Sequence, residues 1–442
     1  MERLNLFCCD RNRISRDSRE LGISTRFDDL SKLNKKEAVY KKDLVVLGKV
    51  KYNLIKFEYM RPSSIDHFKI RNEDLILDFT NHFHILLLGR TGSGKTYLAR
   101  RLWNGFYMSG GAVVHLTDVK NESKSSLQPL QYAFRDRLAE NEEPRSFPLK
   151  IYYPAFLHKT KPIYDQIITQ ISFSELTRFE ELKTCLGGEL SEMQLNILEN
   201  AFNLEMKLNY PSFNGLIEQV RKCDGNELSK KSLALKLRNV STSGIIGDKY
   251  PSINLAADIN ANKIPVLNIR GYKGMGYSTH FYIGYLIKKL IDSKQRGLIP
   301  LDKKIMLIID EILDFCPERV PEKTGLNSKI EIESALRQAR AYGIYMVMMA
   351  QDLNRLSPDI FSQVGAAFLS YNIDQDVMKE IIKTKIRPDM TPSEIVYKVP
   401  RLFNQKIAKF YAGGRRDWYF AHFNENKLVS FTPYAPLSKH QE

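Results

Sequence analysis

The 442 residues carry 66 Lys and Arg against 51 Asp and Glu, a formal charge of +15, and 43% of them are hydrophobic. That length exceeds one minimal domain and allows a sizeable core, while the basic excess favours an anionic partner such as DNA, RNA or an acidic membrane surface. Cys8, Cys9, Cys185, Cys223 and Cys316 fit neither a disulfide framework nor a repeated zinc-ligand spacing, so a reducing, cytoplasmic setting is expected, compatible with a viral or plasmid source as well as a cellular one. No run approaches the roughly 18 to 20 apolar residues that cross a bilayer, so no direct membrane span is expected.

Residues 1–42 are rich in charge and poor in apolar periodicity and read as a charged lead-in. Across 43–80, runs such as Leu44 to Val50 and Tyr52 to Phe57 predict the strands of a small β-rich unit, too short for a large barrel. Next, the apolar run His82 to Leu88 meets a glycine-rich turn and then the helically spaced Tyr97 to Tyr107: strand, loop, helix. Ala112 to Leu116 follows at the distance of a βαβ unit, which implies a parallel sheet with right-handed crossovers. Later strands are expected at Lys150 to Tyr153, Val266 to Ile269, Ile305 to Ile309, Tyr345 to Met349 and Ala366 to Ser370. Between 161 and 247 the spacing is helical instead, at Ser191 to Leu208, Phe213 to Cys223 and Ser229 to Val240, predicting an all-helical insertion. The α/β core is thus assigned to 81–160 and 248–442. The basic group Lys379, Lys383, Lys385 and Arg387 lies near the C-terminus, where such runs usually face water.

The turn Gly89-Arg90-Thr91-Gly92-Ser93-Gly94-Lys95-Thr96 has two glycines with four residues between them, followed by Lys and Thr, the pattern of a phosphate-binding loop. Glycines let successive N–H groups curl inward toward phosphates, backed by the positive end of the following helix. Lys95 is expected to reach the β- and γ-phosphates of ATP, and the Thr96 hydroxyl to ligate Mg2+. The apolar strand Ile305 to Ile309 ends in Asp310-Glu311. Asp310 suits a water-mediated magnesium ligand, and Glu311 suits the base that orients and deprotonates the attacking water. Alternatively the acidic pair merely caps a helix over Ile312 to Cys316. Gln351 leaves the strand Tyr345 to Met349 where an amide can sense the γ-phosphate or position the water. Before it, Ser334 to Tyr342 reads as a helix stopped by Gly343 and carrying Arg337 and Arg340 three residues apart, placed either on plain surface or as an arginine finger across a subunit boundary. Asp118, Lys120 and Glu122 leave the second core strand as a simple turn or as support to the magnesium or the interface.

Taken together these elements resemble the HerA and FtsK superfamily of DNA-pumping P-loop ATPases, closest to its HerA-like and type IV secretion branches, over most of residues 65 to 435. The resemblance extends to Asp118, Lys120 and Glu122 after the second strand, to Leu186-Gly187-Gly188 in the insertion, and to Val266 to Arg270 leading into a long helix at Tyr277 to Arg296. Its most specific part is Leu336 to Ile344 followed by Ala350-Gln351. In Asp310-Glu311-Ile312-Leu313-Asp314-Phe315 the family's Ala-His pair is missing, and the short N-terminal unit departs from the substantial HerA β-barrel. What the resemblance implies is a RecA-like sheet, a homohexameric ring with nucleotide between subunits, and translocation of double-stranded DNA for genome packaging, DNA transfer or DNA-end processing. The alternative is a nucleotide-driven assembly or secretion ATPase acting on a protein such as a nuclease, portal or secretion component.

Overall fold

The computed structural model describes residues 7–9, 40–53, 74–80, 83–157, 167–186, 190–273, 276–318, 327–370, single positions between 373 and 385, 418–423 and 427–439. Most of the lead-in, the end of the run Tyr52 to Phe57, Gly187, Gly188, Lys379, Lys383 and Arg387 lie outside the described residues.

The strands, in chain order, are β1 (Phe7–Cys9), β2 (Leu44–Asn53), β3 (Asp74–Asp78), β4 (His84–Leu88), β5 (Ala112–Asp118), β6 (Leu149–Pro154), β7 (Ile167–Thr169), β8 (Ile171–Ser172), β9 (Ile246–Gly247), β10 (Ile264–Asn268), β11 (Ile305–Ile309), β12 (Ile344–Ala350), β13 (Val364–Ser370), β14 (Trp418–His422) and β15 (Lys427–Pro433). Thirteen of them form one sheet in the order β1-β3-β2-β15-β14-β13-β4-β12-β11-β5-β10-β6-β7. From β13 to β7 every pairing is parallel, and from β13 back to β1 every pairing is antiparallel.

Strands β4, β5, β10, β11 and β12 are buried along their whole length, as a parallel sheet covered on both faces requires. Their side chains alternate between two cores. Leu86, Leu88, Val114, Leu307, Ile309, Met346 and Met348 join one; Ile85, Leu87, Val113, Met306, Ile308, Val347 and Met349 join the other. The second core is covered by α1 (Lys95–Met108) through Leu98, Leu102, Trp103 and Phe106. On the first lie the insertion helices α2 (Phe179–Cys185), α3 (Glu192–Glu205), α4 (Phe213–Lys222) and α5 (Glu227–Ser243), then α6 (Leu255–Asn260) and α7 (Gly276–Gln295).

Two differences from the sequence reading have physical causes. The strands expected to form a small N-terminal unit instead extend the central sheet, because β2 pairs with the C-terminal strand β15. Arg101 of α1 fixes this junction: fully buried, it donates to Val46 O at 3.0 Å and forms a two-pronged pair with Glu142 at 2.6 and 2.8 Å. The stretch 161–247 also contains β7, an edge strand of the main sheet whose three residues are too few to show a period. The helical part proper is closed at its base by the pairing of β8 with β9.

Candidate active site

The sheet order builds the site. β4, β12 and β11 are neighbours and parallel, so the residues after their C-terminal ends meet: the glycine loop after β4, Gln351 after β12, and Asp310-Glu311 after β11. β5, with Asp118 at its end, flanks β11 on the other side.

The loop is held by its own backbone. Gly89 N donates to Ala350 O at 3.2 Å and Ser93 N to Arg90 O at 3.1 Å. Gly92 and Gly94 have φ of 76° and 90°, values that strain a residue with a Cβ. At Gly89 the constraint is space, since a Cβ would come within 2.5 Å of the Ser370 and Ser93 hydroxyls. Lys95, the first residue of α1, is buried and turned into the loop, its Nζ donating to Gly89 O at 2.5 Å and to Arg90 O at 3.2 Å. Burial lowers its proton affinity, against the pull of Glu311 and Asp310.

Asp310 is buried, and its carboxyl is pushed up to about 7 by that burial and then by the neighbouring Glu311. The Thr117 hydroxyl brackets its backbone, accepting from Asp310 N at 2.6 Å and donating to Asp310 O at 2.9 Å. Glu311 is a left-handed residue, φ 50° and ψ 51°, at the start of the four-residue helix α8 (Ile312–Phe315). Its side chain makes no capping hydrogen bond there. Instead both carboxylate oxygens accept from Gln351 Nε2, at 2.9 and 3.1 Å. Gln351 Oε1 accepts in turn from Thr91 Oγ1 at 3.2 Å.

The Asp118 carboxylate accepts from Glu122 N at 3.0 Å and Ser123 N at 3.1 Å, so it builds the turn after β5. That turn brings the exposed Lys120 close enough to draw down Asp310 and to oppose protonation of Lys95, while the Glu122 charge acts on Asp310 in the opposite sense. Arg100, buried on α1, donates to Glu122 O at 2.7 Å and to Ser125 Oγ at 2.6 Å. Burial lowers that guanidinium to about 10, against the pull of Glu122 and Asp118. The structure divides the expected helix Ser334 to Tyr342 between α9 (Asn327–Gln338), which holds Arg337, and a 3-10 turn, Ala339–Tyr342, which holds Arg340. Both arginines are exposed, and Gly343 closes the turn at φ 63°. Lys385 of the C-terminal basic group lies over the Phe361 and Phe423 rings and donates to Ser362 O at 3.0 Å.

The site fits a magnesium nucleotide. A cleft of about 330 Å³ opens beside the loop, lined by Gly89, Arg90, Gln351, Asp352, Asn354, Ile373 and Val377. Ser93 Oγ is buried without a hydrogen-bond partner among the described residues. Nothing crowds Gly92 or Gly94, and the Asp310 carboxyl and Thr96 hydroxyl are oxygen donors of the kind that magnesium prefers. Sequence reasoning missed Thr117, Arg100 and Ser370, because their roles depend on which strands and helices become neighbours.

No curated protein matches the sequence. Residues 69–290 match the family described as helicase HerA, central domain. Among solved structures, VirB4 of Thermoanaerobacter pseudethanolicus aligns with a TM-score of 0.55 at 12% identity, over 90% of this chain and 98% of that one. The plasmid coupling protein TrwB in complex with ADP and Mg2+ aligns at 0.48 with 11% identity, over 81% and 87%. The genome packaging NTPase B204 of Sulfolobus turreted icosahedral virus 2 aligns at 0.31 with 12% identity, over 80% and 98%. At these identities the likeness concerns the fold, and VirB4 carries it: the core is a RecA-like P-loop α/β sheet.

Proposed function

The chain belongs to the HerA helicase central-domain family, and from that premise we propose that it is an ATP-hydrolysing ring motor that translocates double-stranded DNA in genome packaging, DNA transfer or DNA-end processing. The observation that carries the reading is the meeting, on three adjacent parallel strands, of a phosphate loop, an amide and an acid pair. This is the set that water-driven phosphoryl transfer needs.

In the reaction, loop N–H groups and the Lys95 ammonium bind the ATP phosphates. Thr96 and Asp310 would hold Mg2+, which would supply charge to neutralise the phosphates. Glu311 takes the proton of the water that attacks the terminal phosphorus as the bond to the bridging oxygen breaks, leaving ADP and phosphate. Gln351 keeps the Glu311 carboxylate oriented. Arg337 and Arg340 act across a subunit boundary of a homohexameric ring, where an arginine finger adds charge stabilisation. The ring works in the cytoplasm, its basic surface gripping DNA phosphates without reading bases.

ATP turnover with and without double-stranded DNA, at several salt concentrations, tests the reading. Stimulation that fades as salt rises is expected. Indifference to DNA at every salt concentration would replace the motor with the assembly or secretion ATPase acting on a protein partner. The arginines are tested by mixing Glu311→Gln subunits with Arg337→Ala or Arg340→Ala subunits. Partial recovery of turnover in one mixture is expected, and recovery in neither counts against a finger in trans.

A further inference from the structure

We propose that the Thr91 side chain is a positioning residue for the hydrolytic base, acting through Gln351; the inference rests on the reading of Glu311 as that base. Within the loop pattern, position 91 is asked only for a backbone N–H. The structure gives its hydroxyl a separate role, donating to Gln351 Oε1 at 3.2 Å.

The consequence follows from amide chemistry. A glutamine side chain has one end that only accepts and one that only donates. With Thr91 donating to Oε1, the Nε2 end is turned to Glu311, where it reaches both carboxylate oxygens at 2.9 and 3.1 Å. Rotated by half a turn, the amide would set its oxygen against a carboxylate, two acceptors face to face. Gln351 and Glu311 are exposed or half-buried, and Gln351 leaves its strand without further constraint from the ladder, so burial does not choose between the two orientations. The Glu311 carboxylate, which only accepts, chooses the orientation, and the Thr91 hydroxyl, donating to the oxygen so placed, pins the amide in it. Glu311 depends on this hold because its own backbone is in the left-handed region and its side chain caps no helix. The phosphate loop and the base are thereby linked by a line of side chains running Thr91, Gln351, Glu311, across the strand that separates β4 from β11.

The test is a mutant cycle in the full chain. Thr91→Val keeps shape and removes the donor; Thr91→Ser restores it. Loss of one such hydrogen bond is expected to lower kcat roughly three- to tenfold, with the affinity for a fluorescent ADP analogue unchanged and Thr91→Ser close to the parent. In a Gln351→Ala background, Thr91→Val should cost nothing further, because the line is already cut. The proposal is overturned if Thr91→Val turns over normally, if Thr91→Ser is equally impaired, if the loss lies in nucleotide affinity, or if the two losses multiply. Glu311→Gln measured alongside separates the failures: normal turnover there removes the base itself, whereas an inactive Glu311→Gln beside a normal Thr91→Val removes only the positioning role.

Discussion

In the helical insertion, helix starts close on themselves. Ser191 Oγ accepts from Gln194 N at 3.3 Å in α3, Ser212 Oγ from Gly215 N at 3.0 Å in α4, and Asn226 Oδ1 from Leu228 N and Ser229 N at 2.8 and 3.3 Å in α5. At the sheet edge the same position belongs to Gly94 in α1 and Glu311 in α8, both left-handed and neither capping with its side chain. Buried polar atoms divide the same way. Among the described residues, Tyr40, Ser93, Asn104, His115, Ser126 and Gln170 each keep a buried side-chain atom without a partner; Ser93 lies in the glycine loop itself, and none of the six falls between 171 and 247. Charge follows as well, since 171–247 holds ten acidic and nine basic residues, leaving a net +16 to the rest of the chain. The helix starts of the insertion satisfy their own N–H groups, whereas the two at the sheet edge, together with the Ser93 hydroxyl, leave donors to be satisfied by something else.

The largest effects should therefore come from the edge. Lys95→Ala removes the cation proposed to bind the phosphates, and both nucleotide affinity and turnover should be lost; unchanged binding would break the assignment of the loop. Glu311→Gln should keep nucleotide binding and lower kcat by about 10² to 10⁴, the usual contribution of a positioned base. Because Glu311 caps nothing and the hydrogen bonds it accepts come from the exposed Gln351, this change should move the melting temperature by only about 1 to 2 °C, the usual scale for a change outside the core. A large drop in stability would restore the helix-cap role that the geometry argues against.

How legible each region was in the sequence follows from the same contrast. The insertion helices were readable because their information is local, apolar residues at helical spacing over Ser191 to Leu208, Phe213 to Cys223 and Ser229 to Val240; the structure adds the capping residues Ser212 and Asn226. The core strands β4 and β11 were readable as unbroken apolar runs, and the loop from Gly89 to Thr96 as a spacing. What could not be read is adjacency. Nothing in the sequence says that β12 lies between β4 and β11, yet that placement alone brings Gln351 to Thr91 and Glu311. Nor does local sequence say that β2 meets β15 through residues more than 370 positions away, such as Val429 opposite Asn53, and so an N-terminal unit was expected where the sheet simply continues.

A smaller effect lies beneath the edge, at His115 on β5. Its ring is wholly buried against Trp103, with Nδ1 3.4 Å from Ser123 Oγ and Nε2 unpartnered among the described residues. Burial, and then the Arg100 guanidinium, lower it to about 3 from an ordinary 6.5. The folded state thus favours the neutral ring, and the stability this contributes is complete above pH 6.5 and is lost as pH falls toward 3. Between pH 7 and pH 5 the loss amounts to about 2 kcal/mol. His115→Gln should flatten the decline in melting temperature over that interval, whatever its effect at pH 7. An unaltered decline would place the acid sensitivity elsewhere.

The smallest effect tests the insertion. Asn226 holds two first-turn N–H groups of α5, so Asn226→Ala should destabilise the chain by about 1 kcal/mol, and Asn226→Ser should recover most of it. Turnover should not change, because Asn226 and Glu311 share a helix position but use it differently: one side chain is bound to its own helix and the other to a neighbouring strand end. Urea unfolding and ATP turnover, measured on the same variant, separate the two. If Asn226→Ala lowers kcat as well as stability, the insertion is not a self-contained unit beside the motor but part of the path by which the edge of the sheet is set, and the division between the two regions falls.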